Sequence, residues 1–251
     1  RQNELCFYKR VFINSLLIFL NMLTSNHSVT NIWCYRLVTI YKRSIVMAEN
    51  TKTKILEVAL ELFSKNGYLG TSMNDIATKL KISKPALYKH YLNKHEILES
   101  IIKSMNEMDK KRAFEYEMPE VNLKGFEDAY LKTPLEKIEE FTLAQFSHWT
   151  REEFPSRFRK MLTIEQYKDM EMANLYQHYL STGPLNYMTK IFRKMTNSDI
   201  KAMQLALNFY GPIYLLYGVY DALDDKEAVL KMLRNHIDHF IENMKSSGER
   251  K

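Results

Sequence analysis

Apolar side chains recur along most of this chain at intervals of three and four residues, the spacing that collects them on one face of an α-helix. A clear example is Ile55, Ala59 and Phe63, which predicts a helix over about 51–66. Gly67 stands where a helix commonly ends in a left-handed turn. Helix breakers are few, with 7 glycines and 6 prolines in 251 residues. The pattern predicts an all-α protein.

A shorter helix is predicted next, from Asn74 to Lys81. Either Thr71 or Ser72 can cap it, because a side-chain oxygen at the cap accepts from the free amides of the first turn. After a tight turn, a second short helix is predicted to begin near Ser83, which is another good capping residue.

This second short helix has two different sides. Leu87 and Tyr91 are four residues apart and are predicted to face inward, and Pro85 falls in the first turn, where its missing N–H costs nothing. The outer side carries small, basic and hydrogen-bonding groups: Lys84, Ala86, Tyr88, Lys89 and His90. Such a pair fits a helix-turn-helix, whose second helix enters the major groove of DNA. Spacing alone leaves open an ordinary helical hairpin with a solvated basic face.

The order of residues in this stretch carries more information than the spacing. From Ile55 to Leu98 the chain closely resembles the DNA-binding domain of the TetR (tetracycline-repressor) family. The residues that carry the resemblance are Phe63, Gly67, Thr71-Ser72, Ile76-Ala77, Ile82-Ser83, Leu87-Tyr88, His90-Tyr91, Lys94 and Ile97-Leu98. The resemblance implies an N-terminal three-helix, helix-turn-helix domain followed by a helical domain for ligand binding and dimerisation.

The resemblance also implies roles for individual side chains. Base edges would be contacted by Lys84, Pro85, Ala86 and Lys89. Phosphates would be contacted by Thr71, Ser72, Tyr88, His90 and Lys94. The chemistry agrees, because lysine can donate to guanine, alanine and proline can contact a thymine methyl, and hydroxyl groups suit phosphate oxygens. Since only the two lysines of the first set can bind bases through strong hydrogen bonds, the operator sequence does not follow.

Further helices are predicted from the same periodicity. Their bounds are Asn93 to Phe114, Pro134 to Thr150, Arg157 to Tyr179, Ser198 to about Leu223, and Asp225 to Lys245, with a loop between Phe114 and Lys124. Pro155 is expected to mark a break, and Gly211-Pro212 should kink the helix that contains them. In the family, the helix from Asn93 connects the DNA-reading head to the body, which makes it the natural lever for a ligand signal.

Two sets of apolar residues in the C-terminal half are candidate binding surfaces. An apolar ligand pocket between helices is predicted from Met105, Phe141, Phe146, Trp149, Met161, Tyr167, Tyr176 and Tyr179, with plain core packing as the alternative. The last two helices carry more apolar surface than one subunit can bury, which predicts a two-fold, four-helix interface as in the family. Its predicted residues are Tyr210, Ile213, Leu216, Tyr217, Leu233, Ile237, Phe240 and Ile241.

The sequence offers few side chains that could act in catalysis or bind a metal ion. His236 and His239 are three residues apart and could share a metal ion, but a helix surface or dimer contact explains them more simply. The acidic pairs Glu139-Glu140 and Glu152-Glu153 are adjacent and so point different ways on a helix. The sequence shows no nucleophile–base arrangement and no phosphate loop. We therefore predict no enzymatic activity, no metal and no cofactor.

Residues 1–46 do not match the rest of the chain. They hold both cysteines, Cys6 and Cys34, and an apolar run over 11–23. A signal peptide would need a small-residue cleavage site, and a transmembrane helix would need ~20 uninterrupted apolar residues. We prefer a third interpretation, in which Met47 is the true start. The predicted domains are then 47–94, which reads DNA, and 95–251, which binds ligand and dimerises.

Charge is divided unevenly among these parts. Residues 1–46 carry 6 basic and 1 acidic side chains, residues 47–94 carry 8 and 4, and residues 95–251 carry 22 and 25. The basic excess of the predicted DNA-binding domain lies where phosphates would be met. A non-specific DNA-packaging protein would be basic throughout, so the acidic C-terminal half argues against that class.

Together these features predict a homodimeric, sequence-specific DNA-binding regulator of the TetR type. It would be a repressor bound to a palindromic, double-stranded operator and released by an unknown, small and largely apolar molecule. Without residues 1–46 the chain has no cysteine, which suits a cytoplasmic protein with no membrane partner. A helical ligand carrier or an enzyme with an incidental helix-turn-helix is the alternative.

Overall fold

The computed structural model of the chain describes residues 50–119, 124–196 and 198–246. All regular secondary structure in these ranges is helical, which confirms the predicted all-α class. The expectations about residues 1–46, including both cysteines, lie outside the described residues. Residues from Ile55 onward pack as one compact unit, and Arg1–Lys54 belong to another, of which only the last few residues are described.

The described helices are numbered here in chain order. They are α1 (50–66), α2 (Met73–Leu80), α3 (Lys84–Tyr88), α4 (Lys94–Glu115), α5 (Phe126–Lys132), α6 (Leu135–Thr150), α7 (Glu153–Glu165), α8 (Met170–Leu180), α9 (Thr182–Thr196), α10 (Asp199–Ala222) and α11 (Lys226–Ser246). None of them is long and apolar enough to cross a bilayer.

The first three helices form as their local sequence predicts. Ser72 caps α2 and Ser83 caps α3, each by accepting a backbone N–H with its side-chain oxygen. Phe63, Ile76 and Leu87, one from each helix, are fully buried and form the centre of this small domain. These three helices are called the head below, and the helices from α5 onward are called the body.

Helix α4 joins the head to the body. Asn93 caps it by accepting from the Glu96 amide at 2.9 Å, and the Glu96 carboxylate accepts from the Leu92 amide. Ile97 and Ile101 face the core near its start and Met105 does so one turn later. The predicted helix from Asn93 to Phe114 is therefore confirmed to within one residue at each end.

The body is built around α10, which packs against α6, α9 and α11. Phe146 on α6 is fully buried and stacks on Tyr217 of α10, with ring centroids 5.2 Å apart. Leu233 and Ile237 of α11 are also fully buried. Helix α10 continues without interruption through Pro212.

The predicted long helix from Arg157 to Tyr179 is wrong, because the chain leaves the helical path between Glu165 and Met170. Asp169 caps the new helix by accepting from the Met172 amide at 3.0 Å. Its short carboxylate offers the backbone an alternative to a continuing helix. The break expected near Pro155 is present, but it falls at 151–152, and Pro155 itself lies buried in the first turn of α7.

Two helices are present that the apolar spacing does not predict, α5 and α9. Helix α5 has only seven residues, too few for a clear repeat. It is held by tertiary contacts, because Phe126 stacks on Tyr187 of α9 at 5.7 Å and Tyr130 meets the same ring edge-on at 6.0 Å. Helix α9 carries Gly183 and Pro184, which suggest a loop but lie within its first turn.

Candidate functional site

The outer face of α3 is open to solvent, as the helix-turn-helix interpretation expects. Leu87 and Tyr91 anchor the helix in the head core. The side chains predicted to contact bases or phosphates lie on the other side, where Lys84, Pro85, Tyr88 and Lys89 are exposed and Ala86 and His90 are half-buried. The structure thus brings these six residues together on one short surface.

The turn before α3 places a further cation beside this surface. Lys81 ends α2 in the left-handed conformation, with φ of 57°, and its amide donates to the carbonyl oxygens of Ala77 and Thr78. Among the described residues, no ion pair involves Lys81, Lys84 or Lys89. Their charges are therefore available to a polyanion.

Other charges in the head are already used to hold its helices together. Glu61 on α1 accepts from Lys65 at 2.8 Å and lies 3.1 Å from the Nζ of Lys79 on α2. Hydrogen bonds from these two lysines lower the pKa of Glu61 to about 2. The pair Glu61–Lys79 thus fixes α2, and with it the turn that orients α3.

Ser72 remains exposed, but its hydroxyl group has a structural partner. It donates to the Asp75 carboxylate at 2.6 Å and accepts from the Asp75 amide at 3.2 Å. The Asp75 carboxylate also accepts from the Ser72 amide, which completes a capping box. These hydrogen bonds lower the pKa of Asp75 and fix the start of α2.

Thr71 is placed differently from the phosphate-contact prediction. Only 1% of the residue is exposed, and its hydroxyl group donates to the Gly67 carbonyl oxygen at 2.9 Å. Its amide donates to the Tyr68 carbonyl oxygen at 3.3 Å. Since both donors are turned inward, Thr71 shapes the loop between α1 and α2 and presents no free group to a phosphate.

Lys94 is also turned inward. Its Nζ donates to the carbonyl oxygens of Tyr68 at 2.7 Å and Thr71 at 2.8 Å, and it lies 4.4 Å from the centroid of the Tyr68 ring. Burial lowers the pKa of Lys94. Lys94 therefore connects the start of α4 with the α1–α2 loop through two of its three N–H donors, an arrangement that the predicted phosphate contact does not include.

The residues predicted to line a ligand pocket are mostly packed core. Met105, Phe146 and Met161 are fully buried, Trp149 and Tyr176 are buried, and Phe141 and Tyr179 are half-buried. The Tyr179 ring lies edge-on to Phe158 at 5.2 Å and to Trp149 at 6.2 Å. Tyr167 does not belong to this set, because it lies at the break after α7 and is 89% exposed.

A polar cluster between α4 and α6 was not predicted. The Arg112 guanidinium donates to Gln145 at 2.9 Å and to Asp109 at 3.2 Å, and it also donates to Nδ1 of the fully buried His148. The same Nδ1 lies 2.9 Å from Oε2 of Glu152, and the other ring nitrogen of His148 is Nε2. That atom lies 3.7 Å from the nearest Asp109 oxygen and has no hydrogen-bond partner among the described residues.

The charge state of this cluster follows from its burial. Desolvation and the neighbouring Arg112 charge lower the pKa of His148 to about 4, although Glu152, at 2.9 Å from Nδ1, acts in the opposite direction. Desolvation raises the pKa of Asp109. The i, i+3 spacing of Asp109 and Arg112 could have signalled an ion pair, but their partners on α6 lie more than thirty residues away.

The predicted dimer residues face the core of their own chain. Ile213, Leu216, Tyr217, Leu233 and Ile237 are buried within it, and Tyr210, Phe240 and Ile241 are half-buried against it. The prediction of these particular residues is therefore wrong for most of the set. A helix that is apolar nearly all round does not reveal from sequence which side its own chain covers.

The exposed apolar residues of α10 form a stripe that differs from the predicted dimer residues. Leu207, Tyr214 and Leu215 are exposed apolar residues, and Gly211 and Gly218 lie exposed beside them. No atom of the described residues lies within 4 Å of the position that a Cβ would occupy on either glycine. Between this stripe and α11 lies an open groove of about 590 Å³, lined on the α11 side by residues that include His236 and His239.

His236, one of the two histidines of this groove, is engaged by the backbone of α10. The Nε2 of His236 is 2.8 Å from the Phe209 carbonyl oxygen, so it donates that hydrogen bond. Within the described ranges, no group of three or more histidine, cysteine or acidic side chains could hold a metal ion.

A second cavity, of about 40 Å³, lies between α5, α6, α9 and α11 and has an apolar lining.

Comparison with known proteins bears on the head in particular. Residues 55–101 match the family described as "Bacterial regulatory proteins, tetR family". The HTH-type negative transcriptional regulator IcaR of the biofilm operon icaADBC, from Staphylococcus epidermidis, is 50% identical over 46 residues. That match covers 18% of this chain and 25% of IcaR, so the chain spans about a quarter of the relative's length.

Similarity to solved structures extends over the body. A transcriptional regulator from Aquifex aeolicus VF5 is 24% identical, with a TM-score of 0.51 over 77% of this chain and 99% of that one. AibR, solved in complex with isovaleryl coenzyme A and operator DNA, is 18% identical, with a TM-score of 0.51 over 73% of this chain and 95% of AibR. These likenesses show the fold. Residues 55–101 are therefore a helix-turn-helix domain of the kind found in the tetR family of bacterial regulatory proteins.

Proposed function

We propose that this chain is a sequence-specific DNA-binding regulator that represses transcription. The observation that carries the proposal is the free face of α3. Lys84 and Lys89 extend from a helix whose other side is buried, and neither is paired with a described residue. That face lies within residues 55–101, which match the family of bacterial regulatory proteins. Lysine ammonium groups on a helix of this kind suit the acceptors of guanine in the major groove.

The contacts divide into two classes. We assign Lys84, Pro85, Ala86 and Lys89 to base edges. We assign Ser72, Tyr88 and His90 to phosphates. Thr71 and Lys94 are moved to a positioning role, because their polar groups are used within the head. The phosphate contacts would set affinity and register, and the base contacts would set sequence preference.

We further propose that the protein is a homodimer that reads a palindromic operator. Two-fold symmetry places two recognition helices about one helical turn of DNA apart. The surface that supports a dimer is the exposed stripe of α10, with Leu207, Tyr214 and Leu215. Glycines at 211 and 218 would let a partner helix approach closely, and nothing in the described part of this chain packs against them.

The regulatory signal would be a small, largely apolar molecule bound in the body. The mechanism is a population shift, in which the effector favours a body conformation whose two heads no longer match successive major grooves. AibR, whose fold is similar, has been solved with both a coenzyme A thioester and operator DNA. A regulatory role requires no enzymatic activity. No observation favours the alternative of a ligand carrier or an enzyme.

The test is a binding experiment with selected DNA. A duplex is enriched from a randomised pool with the unmodified protein and titrated beside a scrambled duplex at several salt concentrations. We expect Lys89→Ala to cost on the order of 1–3 kcal/mol per half-site and to relax preference at one base position. Lys103→Ala, at an exposed lysine of α4, is the matched control and should change nothing. Equal affinity of the unmodified protein for both duplexes would reject sequence-specific regulation.

A further inference from the structure

A carboxylate of the body lies directly against the end of the first helix of the head. Glu165, the last residue of α7, is fully buried. Its Oε1 lies 1.9 Å from the position that a Cβ would occupy on Gly67, the residue that follows α1. Gly67 also has a φ of 82°. Glycine is thus required at this position by its backbone conformation and by its contact with the body.

The Glu165 carboxylate is poorly compensated for a buried group. Its Oε1 lies 3.2 Å from the Nζ of Lys168, which is itself 51% exposed. Its Oε2 is buried and has no hydrogen-bond partner among the described residues. Burial of a carboxylate with so few partners is costly, because the water that solvated it is only partly replaced. If α7 and the head separated, this carboxylate would regain its water.

The groups around Glu165 connect it to the rest of the head. The negative charge of Glu165 opposes the lowering of the Lys94 pKa by burial, so the two groups act on each other. Burial raises the pKa of Tyr68. The negative charges of Glu171, at the start of α8, and of Asp169, in the break before it, raise this pKa further. A carboxylate of Glu171 also lies 3.7 Å from the imidazole of His95.

These contacts link Glu165 on α7 to α3 through the α1–α2 loop and α2. Gly67 begins the α1–α2 loop, and Lys94 holds that loop by the carbonyl oxygens of Tyr68 and Thr71. Helix α2 starts at Met73, directly after the loop, and α3 packs on α2. A displacement of α7 at Glu165 therefore acts on the loop that orients the DNA-reading helix.

We infer that Glu165 is a positioning residue for DNA binding, through which the body sets the orientation of the head. Its contact with Gly67 holds the head in place, and the poor compensation of its carboxylate keeps this contact easy to release. A small movement of α7 is then sufficient to free the head. The inference rests on the proposed function, because it concerns the helix that would read DNA.

Two substitutions act on the contact in opposite directions. Glu165→Met keeps a long side chain against Gly67 but removes the buried charge, so it should strengthen the contact. Gly67→Ala adds a methyl group where Oε1 now lies, so it should open the contact. Gly125→Ala is the matched control for backbone strain, because Gly125 has a φ of 86° and no described residue places an atom within 4 Å of its Cβ position.

Amide hydrogen exchange in the DNA-free protein tests the contact itself. In Gly67→Ala we expect exchange over residues 68–71 and 94–98 to become at least threefold faster, and in Glu165→Met to become at least threefold slower. Amides of α10 and α11 should not change in either variant, and Gly125→Ala should leave the head unchanged. Equal exchange in all four proteins would show that the contact does not hold the head.

DNA titration with the selected duplex tests the positioning role. We expect Gly67→Ala and Glu165→Met to shift affinity in opposite directions, each at least threefold, without changing the salt dependence that a phosphate contact would alter. Unchanged affinity, or shifts in the same direction, would overturn the inference. If the unmodified protein bound no DNA, the proposed function would fail and the positioning role with it, while the exchange result would still report whether Glu165 holds the head.

Discussion

The Nζ of Lys94 donates to the carbonyl oxygen of Tyr68 at 2.7 Å and lies 4.4 Å from the centroid of the same residue's ring. One side chain at the start of α4 is thus fixed against both the backbone and the ring of a residue in the α1–α2 loop. Because α4 leads into the body, this pair connects the loop of the head to the helix that carries it. The connection depends on the ammonium group, since it also reaches the Thr71 carbonyl oxygen.

Replacing Lys94 should therefore affect stability more than charge at the DNA surface. We expect Lys94→Met to lower the free energy of unfolding by about 1–3 kcal/mol, because the Thr71 carbonyl oxygen loses the ammonium donor and the Tyr68 carbonyl oxygen keeps only the Thr71 amide. Urea unfolding followed by circular dichroism measures this change, with Lys103→Met as an exposed lysine control. The slope of log affinity against log salt should stay the same. A slope reduced by about one per subunit would instead return Lys94 to the phosphate contacts.

The neighbours Leu215 and Leu216 should respond very differently to the same substitution. Leu215 is 66% exposed and Leu216 is 8% exposed, although both lie on α10. Leu215→Glu should leave the chain folded and yield monomers in analytical ultracentrifugation. Leu216→Glu should instead destabilise the fold by more than about 4 kcal/mol, because it buries an unpaired charge. A dimeric Leu215→Glu protein at low concentration would place the subunit interface elsewhere.

His148 should make the protein sensitive to mild acid. Its pKa is about 4 in the folded chain against 6.5 in the unfolded chain, so below pH 6.5 the unfolded state binds the extra proton. The free energy of unfolding should therefore fall between pH 6.5 and 4, by on the order of 3 kcal/mol, and this contribution should level off below pH 4. Urea unfolding across this range measures the effect.

His148→Gln provides the control for this pH dependence, since it cannot titrate. The difference between the two unfolding profiles isolates His148 from Asp109, whose pKa burial raises in the same cluster and which remains in both proteins. Parallel profiles would show that His148 is solvated in the folded chain and would contradict its burial between α4 and α6.

Lys81 is strained in its left-handed conformation, with φ of 57°. Glycine adopts this conformation without a steric cost, so Lys81→Gly should raise the free energy of unfolding by roughly 0.5–1 kcal/mol. Thermal unfolding measures the change, and Lys84→Gly should act in the opposite direction because Lys84 is helical. A destabilised Lys81→Gly protein would show that the lysine side chain holds the turn.

Local sequence determined the head of this protein almost completely. Ser72, Ser83 and Asn93 each cap the helix that their position predicts, and Leu87 faces inward as its spacing requires. These features depend on hydrogen bonds and periodicity within a few residues, which the sequence displays directly. The same local order carries the resemblance to the TetR family, which the comparisons confirm.

Only the tertiary structure decided how several side chains are used. Lys94 resembles a phosphate contact until the carbonyl oxygens 23 and 26 residues before it are seen around its ammonium group. Leu215 and Leu216 are the same residue type on one helix, and packing against α6, α9 and α11 alone separates them. The break after Glu165 is hidden because apolar residues continue on both sides of it. Burial and partner choice come from residues distant in sequence, so no local pattern could specify them.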